Sequence, residues 1–430
     1  GRCPVCGSKD ISDSREIIDV IRHLAREVDL ILIGTDPDTE GEKIGWDVAI
    51  SIAPYSTKIK RIEFHEVTKK AIVQAISNMR DIDKRLVEAQ IVRRVEDRWI
   101  GFSLSKKLWE AFSQKTLSAG RVQTPVLGWI IERYHEHLKS RKTVFFVTLP
   151  NQYTIIYDNI PVQGRKSKEI VKEISENPVK VKKISSEEIT INAPPPFSTD
   201  TMLREASRLL RIGVDEVMRV AQDLFELGLI TYHRTDSTRV STTGRAIARE
   251  YITEKFGSQL FVPREWMKEG AHECIRPTRP IDVEELRARI REGIIRLARP
   301  LTPRHFALYD LIFRRFIASQ MPPAKVLREK FEVTVALKYS KEVEGITSIL
   351  DPGFTLIYRN FELLPKFEEG EFKPVAVTAK RIATVPLYTQ AEIIELMKKR
   401  GIGRPSTYAK IVKTLLERRY VIESKRKKLV

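Results

Sequence analysis

Two stretches of the 430-residue chain carry residue types suited to reactions at phosphorus. LGLITYHRTDSTRVS, Leu227 to Ser241, sets Tyr232, Arg234 and Asp236 among hydroxyls behind an apolar run. A phenol of pKa ~10 is a poor nucleophile until a nearby cation or base favours its phenolate. Arg234, two residues on, shares a face with Tyr232 if the segment continues as a strand. From there it can stabilise both phenolate and the charge building on an attacked phosphate. AHECIRPT, Ala271 to Thr278, adds His272, Glu273 and Arg276. His272 can hydrogen-bond a phosphate oxygen or carry a proton. Each group also has an ordinary reading, because tyrosine is a common strand residue and buried histidines occur with satisfied hydrogen bonds.

The second stretch is GTDPDTEGEK, Gly34 to Lys43, with four carboxylates in ten residues. A phosphate-cradling loop needs GxxxxGK followed by Ser or Thr. Here Gly41 precedes Glu42 and Lys43 precedes Ile44, and the acids would repel a phosphate unless a cation intervened. Magnesium accepts one or two carboxylates, keeps several waters and shares its remaining positions with phosphate oxygens. Thr39 and Glu42 have the spacing of a helix capping box, which leaves Asp36, Asp38 and Glu40 as candidate ligands. The alternative is that acids favour a helix N-terminus through its dipole. Position at the carboxyl end of a buried strand, where open α/β sheets place their sites, favours the metal.

These groups sit in a basic chain. Lys and Arg number 75 against 57 acids, a net charge of +18, which points to a polyanionic partner, nucleic acid first. No run approaches the ~18 apolar residues of a membrane span and no signal peptide opens the chain, so a soluble, intracellular, cytoplasmic protein is expected. Three cysteines exclude a disulfide scaffold. Cys3 and Cys6, in CPVCGS, have zinc-ligand spacing, and the other two ligands of a structural zinc are expected upstream of Gly1.

The elements that position the chemistry can be read from periodicity. Residues 15–33 pattern as an amphipathic helix followed by the short strand Leu30 to Ile33, and a helix resumes near Thr39. Residues 66–138 read as mainly helical. From about 143, and again from about 329, β-branched and polar residues alternate. These two β-rich stretches flank a helical insert that opens after APPPFS and closes near QMPPAK. Within the insert, residues 199–237 read as helix, turn, helix and strand. The C-terminal residues 389–430 repeat that plan, LFELGLI aligning with LLERRYV. This weak repeat has the form of two winged helix-turn-helix units. Tyr232 of the first copy corresponds to Glu423 of the second. Tyr408 and Tyr420 read as packing residues, and His135 and His137 as a solvated helix face.

Together these segments resemble the type IA DNA topoisomerases. DPDTEGE is similar to the family's acidic TOPRIM signature, with Thr39 where arginine is usual. RIEFHEVTKKAI, LSAGRVQTPVL, PPPFSTDTML, GLITYHRTDS, HECIRPT and RGIGRPSTYAKIV follow in the family's order over nearly the whole chain. The wording of LSAGRVQTPVLGWI, the CxxC module and the composition are most similar to the reverse gyrase branch. Members of that branch join this C-terminal module to an N-terminal, ATP-dependent helicase-like module and occur in hyperthermophiles.

The resemblance implies that Tyr232 attacks a backbone phosphate of one DNA strand, forming a 5′-phosphotyrosyl link, after which the other strand passes and the break is rejoined. It implies that Arg234 stabilises the transition state, Asp236 orients it or a neighbour, and His272 contacts the scissile phosphate. Asp36, Asp38 and Glu40 would bind Mg2+; Cys3 and Cys6 would bind Zn2+. Arg121 and Gln123, with Arg276, Arg404, Ser406 and Thr407, would hold single-stranded or duplex DNA. ATP would act only through the helicase-like module of the same polypeptide, in a nucleoid-associated monomer that introduces positive supercoils. The implied fold is a multidomain α/β and β toroidal clamp of four parts. These are a partial Rossmann-like TOPRIM domain over 1–110, a helical domain over 111–141 and 385–430, a β-rich arch over 142–192 and 328–384, and a CAP-like winged-helix domain carrying the nucleophile over 193–327. The family's first TOPRIM strand and its acid-base glutamate are expected outside the quoted residues, so that this segment alone would bind DNA but cleave it poorly. The rival readings are another TOPRIM enzyme, a primase or nuclease, and a non-catalytic zinc-bearing DNA clamp.

Overall fold

The computed structural model of the chain describes residues 15–56, 58–162, 166–267 and 272–430. It divides into two compact units between Arg121 and Val122. Among the described residues no helix is long and apolar enough to cross a membrane.

The first unit contains α1 (Arg15–Ala25), β1 (Ile31–Ile33), α2 (Thr39–Ile52), β2 (Ile59–Arg61), α3 (Lys69–Ser77) and α4 (Lys84–Phe112). β1 pairs in parallel with β2, Ile33 lying opposite Arg61. Parallel neighbours need a crossover, and α2 supplies it. The acidic loop therefore leaves the carboxyl end of β1 and runs straight into α2. Asp83 caps α4, its side chain accepting from the Arg85 and Leu86 amides, and α4 packs on α2. α4 stops where Ser113 takes a left-handed conformation, φ 53°.

The second unit opens with α5 (Gln123–Lys139), then β3 (Arg141–Thr148), β4 (Thr154–Tyr157), α6 (Ser167–Glu176) and β5 (Val179–Ile191). Five helices follow: α7 (Thr199–Leu210), α8 (Val214–Glu226), α9 (Thr242–Phe256), α10 (Val283–Arg291) and α11 (Pro303–Ala318). The chain returns as β6 (Ala324–Val335), β7 (Tyr339–Asp351), β8 (Gly370–Phe372) and β9 (Ala376–Ala383), and ends in α12 (Gln390–Lys399) and α13 (Tyr408–Glu417). The strands make two sheets, ordered β4-β3-β9 and β7-β6-β5-β8. Alternation places Phe145, Val147, Tyr157, Val181, Phe331 and Val333 in one core with Ile170 and Ile174 of α6. β5 pairs antiparallel with β6 from Lys180 opposite Thr334 to Ile191 opposite Ala324. Residues 192–323 thus leave and re-enter at one end of a single ladder.

α7 packs on α12, and α8 on α13. Arg204 pairs with Glu395 at 3.0 Å, Lys413 with Asp215 at 3.0 Å, and the Val214 amide donates to Gln390 Oε1 at 3.0 Å. The two copies differ in their turns, residues 211–213 in the first and 400–407 in the second. Two expectations from the sequence are corrected. The strand after α8 is reduced to a bridge between Ile230 and Pro277, because residues beyond it hydrogen-bond to Thr199 and Arg276 rather than to a ladder. His137 is not on a solvated face: its Nδ1–H donates to the Val385 carbonyl at 2.7 Å, tying α5 to the chain after β9.

Candidate active site

The acidic loop of the first unit folds back on itself. The Thr35 hydroxyl donates to the Gly41 carbonyl at 2.6 Å, and a Cβ at Gly41 would stand 2.0 Å from the Asp36 carbonyl oxygen, so only glycine fits. The expected capping box does not form. Asp38 is the N-cap of α2, in extended conformation, accepting from the Gly41 amide at 2.7 Å. Glu42 instead turns inward, 1% exposed, and takes four donors. They are Arg61 Nε at 3.1 Å, Arg80 Nη1 at 2.7 Å, Arg80 Nη2 at 2.9 Å and the Asp83 amide at 2.6 Å. Arg61 is itself fully buried, and its remaining N–H groups donate to the carbonyls of Ile33, Ile62 and Asp36. Burial pushes the Glu42 carboxyl up, but the bonds from Arg80, Asp83 and Arg61 outweigh this and hold it below the usual carboxylate range.

Of the three candidate ligands, Glu40 lies 3.6 Å from Arg94, while Asp36 and Asp38 lie on the loop that Arg61 and the Gly41 turn hold in shape. Among the described residues no three acidic, histidine or cysteine side chains converge as a metal cage. Two carboxylates at a helix start still match a hydrated Mg2+, whose remaining positions go to water and phosphate. Cys3 and Cys6 lie outside the described residues.

In the second unit Tyr232 is 2% exposed. Its ring meets Phe225 edge-on at 5.2 Å and His233 at 5.5 Å, and the His272 ring is 6.5 Å away. Two segments about forty residues apart are joined here by Thr231, whose amide donates to the Arg276 carbonyl at 2.9 Å. The Thr231 hydroxyl donates to the Cys274 carbonyl at 2.7 Å and accepts from the Arg276 amide at 2.9 Å. Arg234 extends to Gln222 Oε1 of α8 at 3.4 Å. Asp236 is exposed. Burial first, then the charge of Asp200, raise the Tyr408 phenol, with Arg404 opposing. Tyr408 is buried, as a packing residue should be.

The candidate DNA contacts fall into two groups. Arg276 is 1% exposed and bidentate to Glu273 at 3.0 and 2.7 Å, which makes it a brace for the histidine segment rather than a reaching side chain. Arg121 pairs with Asp97 and Glu96, and Gln123 is buried, accepting from Arg418 at 3.2 Å. Arg404, like Arg121, is exposed, at the turn before α13. There Thr407 Oγ1 receives the Arg404 amide at 2.9 Å and Ser406 is half-buried. The residue-type search missed Thr199, Gln222, Arg61 and Arg80. Gln222 had one signal, its helical spacing to Glu226, to which it donates at 2.9 Å.

His233 is fully buried, and both ring nitrogens lack a hydrogen-bond partner among the described residues. Desolvation, then the charge of Arg234, push its pKa from 6.5 down to about 3. The unfolded chain therefore binds a proton that the folded one refuses. Stability from this group is full above about pH 6.5 and falls as pH drops toward 3. About 3 kcal/mol is expected to be lost by pH 4. His233→Leu should flatten the acid side of the urea-midpoint profile, and an unchanged profile would refute a neutral buried ring.

Comparison with known proteins gives the family. A model described as DNA topoisomerase matches residues 81–430, and one described as Toprim domain matches residues 7–67. The reverse gyrase of Pyrococcus furiosus is 54% identical over 431 residues, covering 100% of this chain and 34% of that protein. Reverse gyrase 1 of Aquifex aeolicus is 50% identical over 414 residues, covering 96% and 35%. The chain thus spans about a third of the length of these relatives. The full-length topoisomerase I structure from Thermotoga maritima superposes with a TM-score of 0.72 at 33% identity, covering 97% of this chain and 71% of that one. A primase or nuclease sharing only the acidic segment would not match over 81–430. The chain belongs to the type IA DNA topoisomerase family.

Proposed function

We propose that this chain is the strand-cleaving and rejoining module of a reverse gyrase. The observation that supports the reading is that the His272 ring lies 6.5 Å from the Tyr232 ring, on two segments that the Thr231 hydroxyl ties together through Cys274 and Arg276. The Tyr232 oxygen forms a bond to a backbone phosphorus, the bond to the 3′-oxygen breaks, the phenol loses its proton and the 3′-oxygen gains one. One phosphodiester replaces another, so rejoining needs no external energy. Arg234 stabilises charge on the phosphate oxygens and His272 contacts the scissile phosphate. Asp236 orients these groups. Gln222 steadies the guanidinium of Arg234. Arg404, Ser406 and Thr407 contact the DNA backbone at the turn before α13, and the excess of basic residues draws the strand in.

Asp36 and Asp38, with Glu40 nearby, would hold Mg2+. When bound, the ion neutralises phosphate oxygens and favours rejoining. Asp36→Asn with Asp38→Asn is expected to raise the Mg2+ concentration for half-maximal rejoining about tenfold or more, each lost carboxylate removing a charged ligand. An unchanged Mg2+ titration would remove these two residues from the metal site. Cys3 and Cys6 would supply half of a structural zinc site. The longer polypeptide would introduce positive supercoils with ATP used by a helicase-like module, and the whole would act as a cytoplasmic, nucleoid-associated monomer. The test is to incubate full-length protein with 5′- and 3′-labelled single-stranded DNA and Mg2+ and quench with denaturant. A covalent adduct through the 5′ phosphate of the fragment downstream of the break, mapped to the peptide containing Tyr232, is expected. An adduct through the 3′ phosphate, or none, defeats the reading.

A further inference from the structure

The nucleophile lies on a segment with almost no regular structure, so its direction has to be fixed by contacts from elsewhere. Residues 231–236 belong to no strand. What holds them from one side is the first residue of α7. Thr199 is fully buried. Its hydroxyl donates to the His233 carbonyl at 2.7 Å, lies 2.9 Å from the Thr235 carbonyl, and accepts from the Thr235 amide at 2.8 Å. Its own amide donates to the Thr235 carbonyl at 2.8 Å. These bonds grip the peptide groups on either side of Arg234, two residues beyond Tyr232.

The gripping residue is itself anchored. Asp200, the next residue, is 5% exposed and accepts from Ser198 Oγ at 2.8 Å and from Lys398 Nζ at 2.6 Å. Lys398 belongs to α12, in the second helix pair, two residues before the Arg400 turn that leads to Arg404. A carboxylate buried beside one ammonium strongly prefers to keep that partner. A continuous set of contacts therefore runs from α12 through Asp200 and Thr199 to the backbone around Arg234.

We propose that Thr199 is a positioning residue for Tyr232 and Arg234, and that the Asp200–Lys398 pair ties this clamp to the second helix pair. The proposal deepens the reading of Tyr232 as nucleophile and rests on it for its effect on cleavage. The clamp itself has a readout independent of chemistry, because the Thr235 amide is bonded to the Thr199 hydroxyl.

Thr199→Val keeps shape and removes the hydroxyl, whereas Thr199→Ser keeps the hydroxyl. In the full-length protein, amide exchange over residues 229–236 is expected to quicken at least about tenfold in Thr199→Val and to stay near wild type in Thr199→Ser. The rate of adduct formation at saturating DNA is expected to fall about 10- to 100-fold in Thr199→Val, with DNA affinity within about threefold of wild type. Lys398→Met should slow the same step by a smaller factor, again without weakening binding. Wild-type exchange in Thr199→Val overturns the clamp. So does a parallel loss of DNA affinity and thermal midpoint in both Thr199 variants, which would mark general packing. If Tyr232→Phe still forms the adduct, the nucleophile reading fails, while the exchange comparison still decides whether Thr199 holds the loop.

Discussion

Tyr232→Phe is expected to abolish the covalent DNA adduct, lowering its yield by at least about a thousandfold, because it removes the oxygen proposed as the attacking group. The substitution is conservative for the fold. The ring is 2% exposed and packs edge-on against Phe225 and His233, contacts that phenylalanine retains. Removing one buried hydroxyl costs about 1 kcal/mol of stability. DNA affinity should therefore survive, since the basic residues proposed to contact phosphate are untouched. The experiment pairs adduct yield after denaturing quench with a binding isotherm. A persistent adduct would move the nucleophile elsewhere, and a collapse of binding would show that the ring does more than react.

The second large effect lies in the other unit. Glu42→Ala leaves Arg61, fully buried, without its carboxylate, and Arg80 without one of its two. Breaking a buried ion pair by removing one partner typically costs about 3–5 kcal/mol. That loss should appear as a lowered melting transition for the unit carrying β1 and α2. Arg61 also donates to the Asp36 carbonyl at 2.8 Å, so its release should loosen the acidic loop and weaken Mg2+ binding. Glu42→Gln, which keeps the shape and part of the hydrogen bonding, should fall between. Because the Glu42 carboxyl is held below its ordinary range of 4.5, its contribution is full above that value and lost as pH falls through the folded one. The variants should accordingly show less acid-side loss than wild type. A Glu42→Ala protein with a wild-type melting curve would mean that Arg61 and Arg80 find other partners.

The role of Glu42 shows where reading from the sequence stops. Thr39 and Glu42 have capping-box spacing, but spacing cannot say which neighbour takes the cap. Asp38 takes it, and Glu42 is drawn inward because two arginines and a backbone amide converge on it. Arg276 is similar. Its place in HECIRPT marks it as a cation near the reaction, and only the folded chain reveals that Glu273 occupies its guanidinium. Thr199 carried no signal of its own, since a threonine at a helix start is ordinary and its partners lie 34 and 36 residues away.

The sequence by itself determined the family, the order of the blocks, the basic character and the chemical types available: a phenol, carboxylates, an imidazole and guanidinium groups. Those follow from residue identity and local spacing, which are properties of the chain before it folds. The tertiary structure alone decided which of those groups are engaged and which face outward. Burial makes an unmet hydrogen bond or charge costly, and the partners that meet it, such as Arg61 for Glu42 or Thr199 for the backbone beside Tyr232, come from elsewhere in the chain.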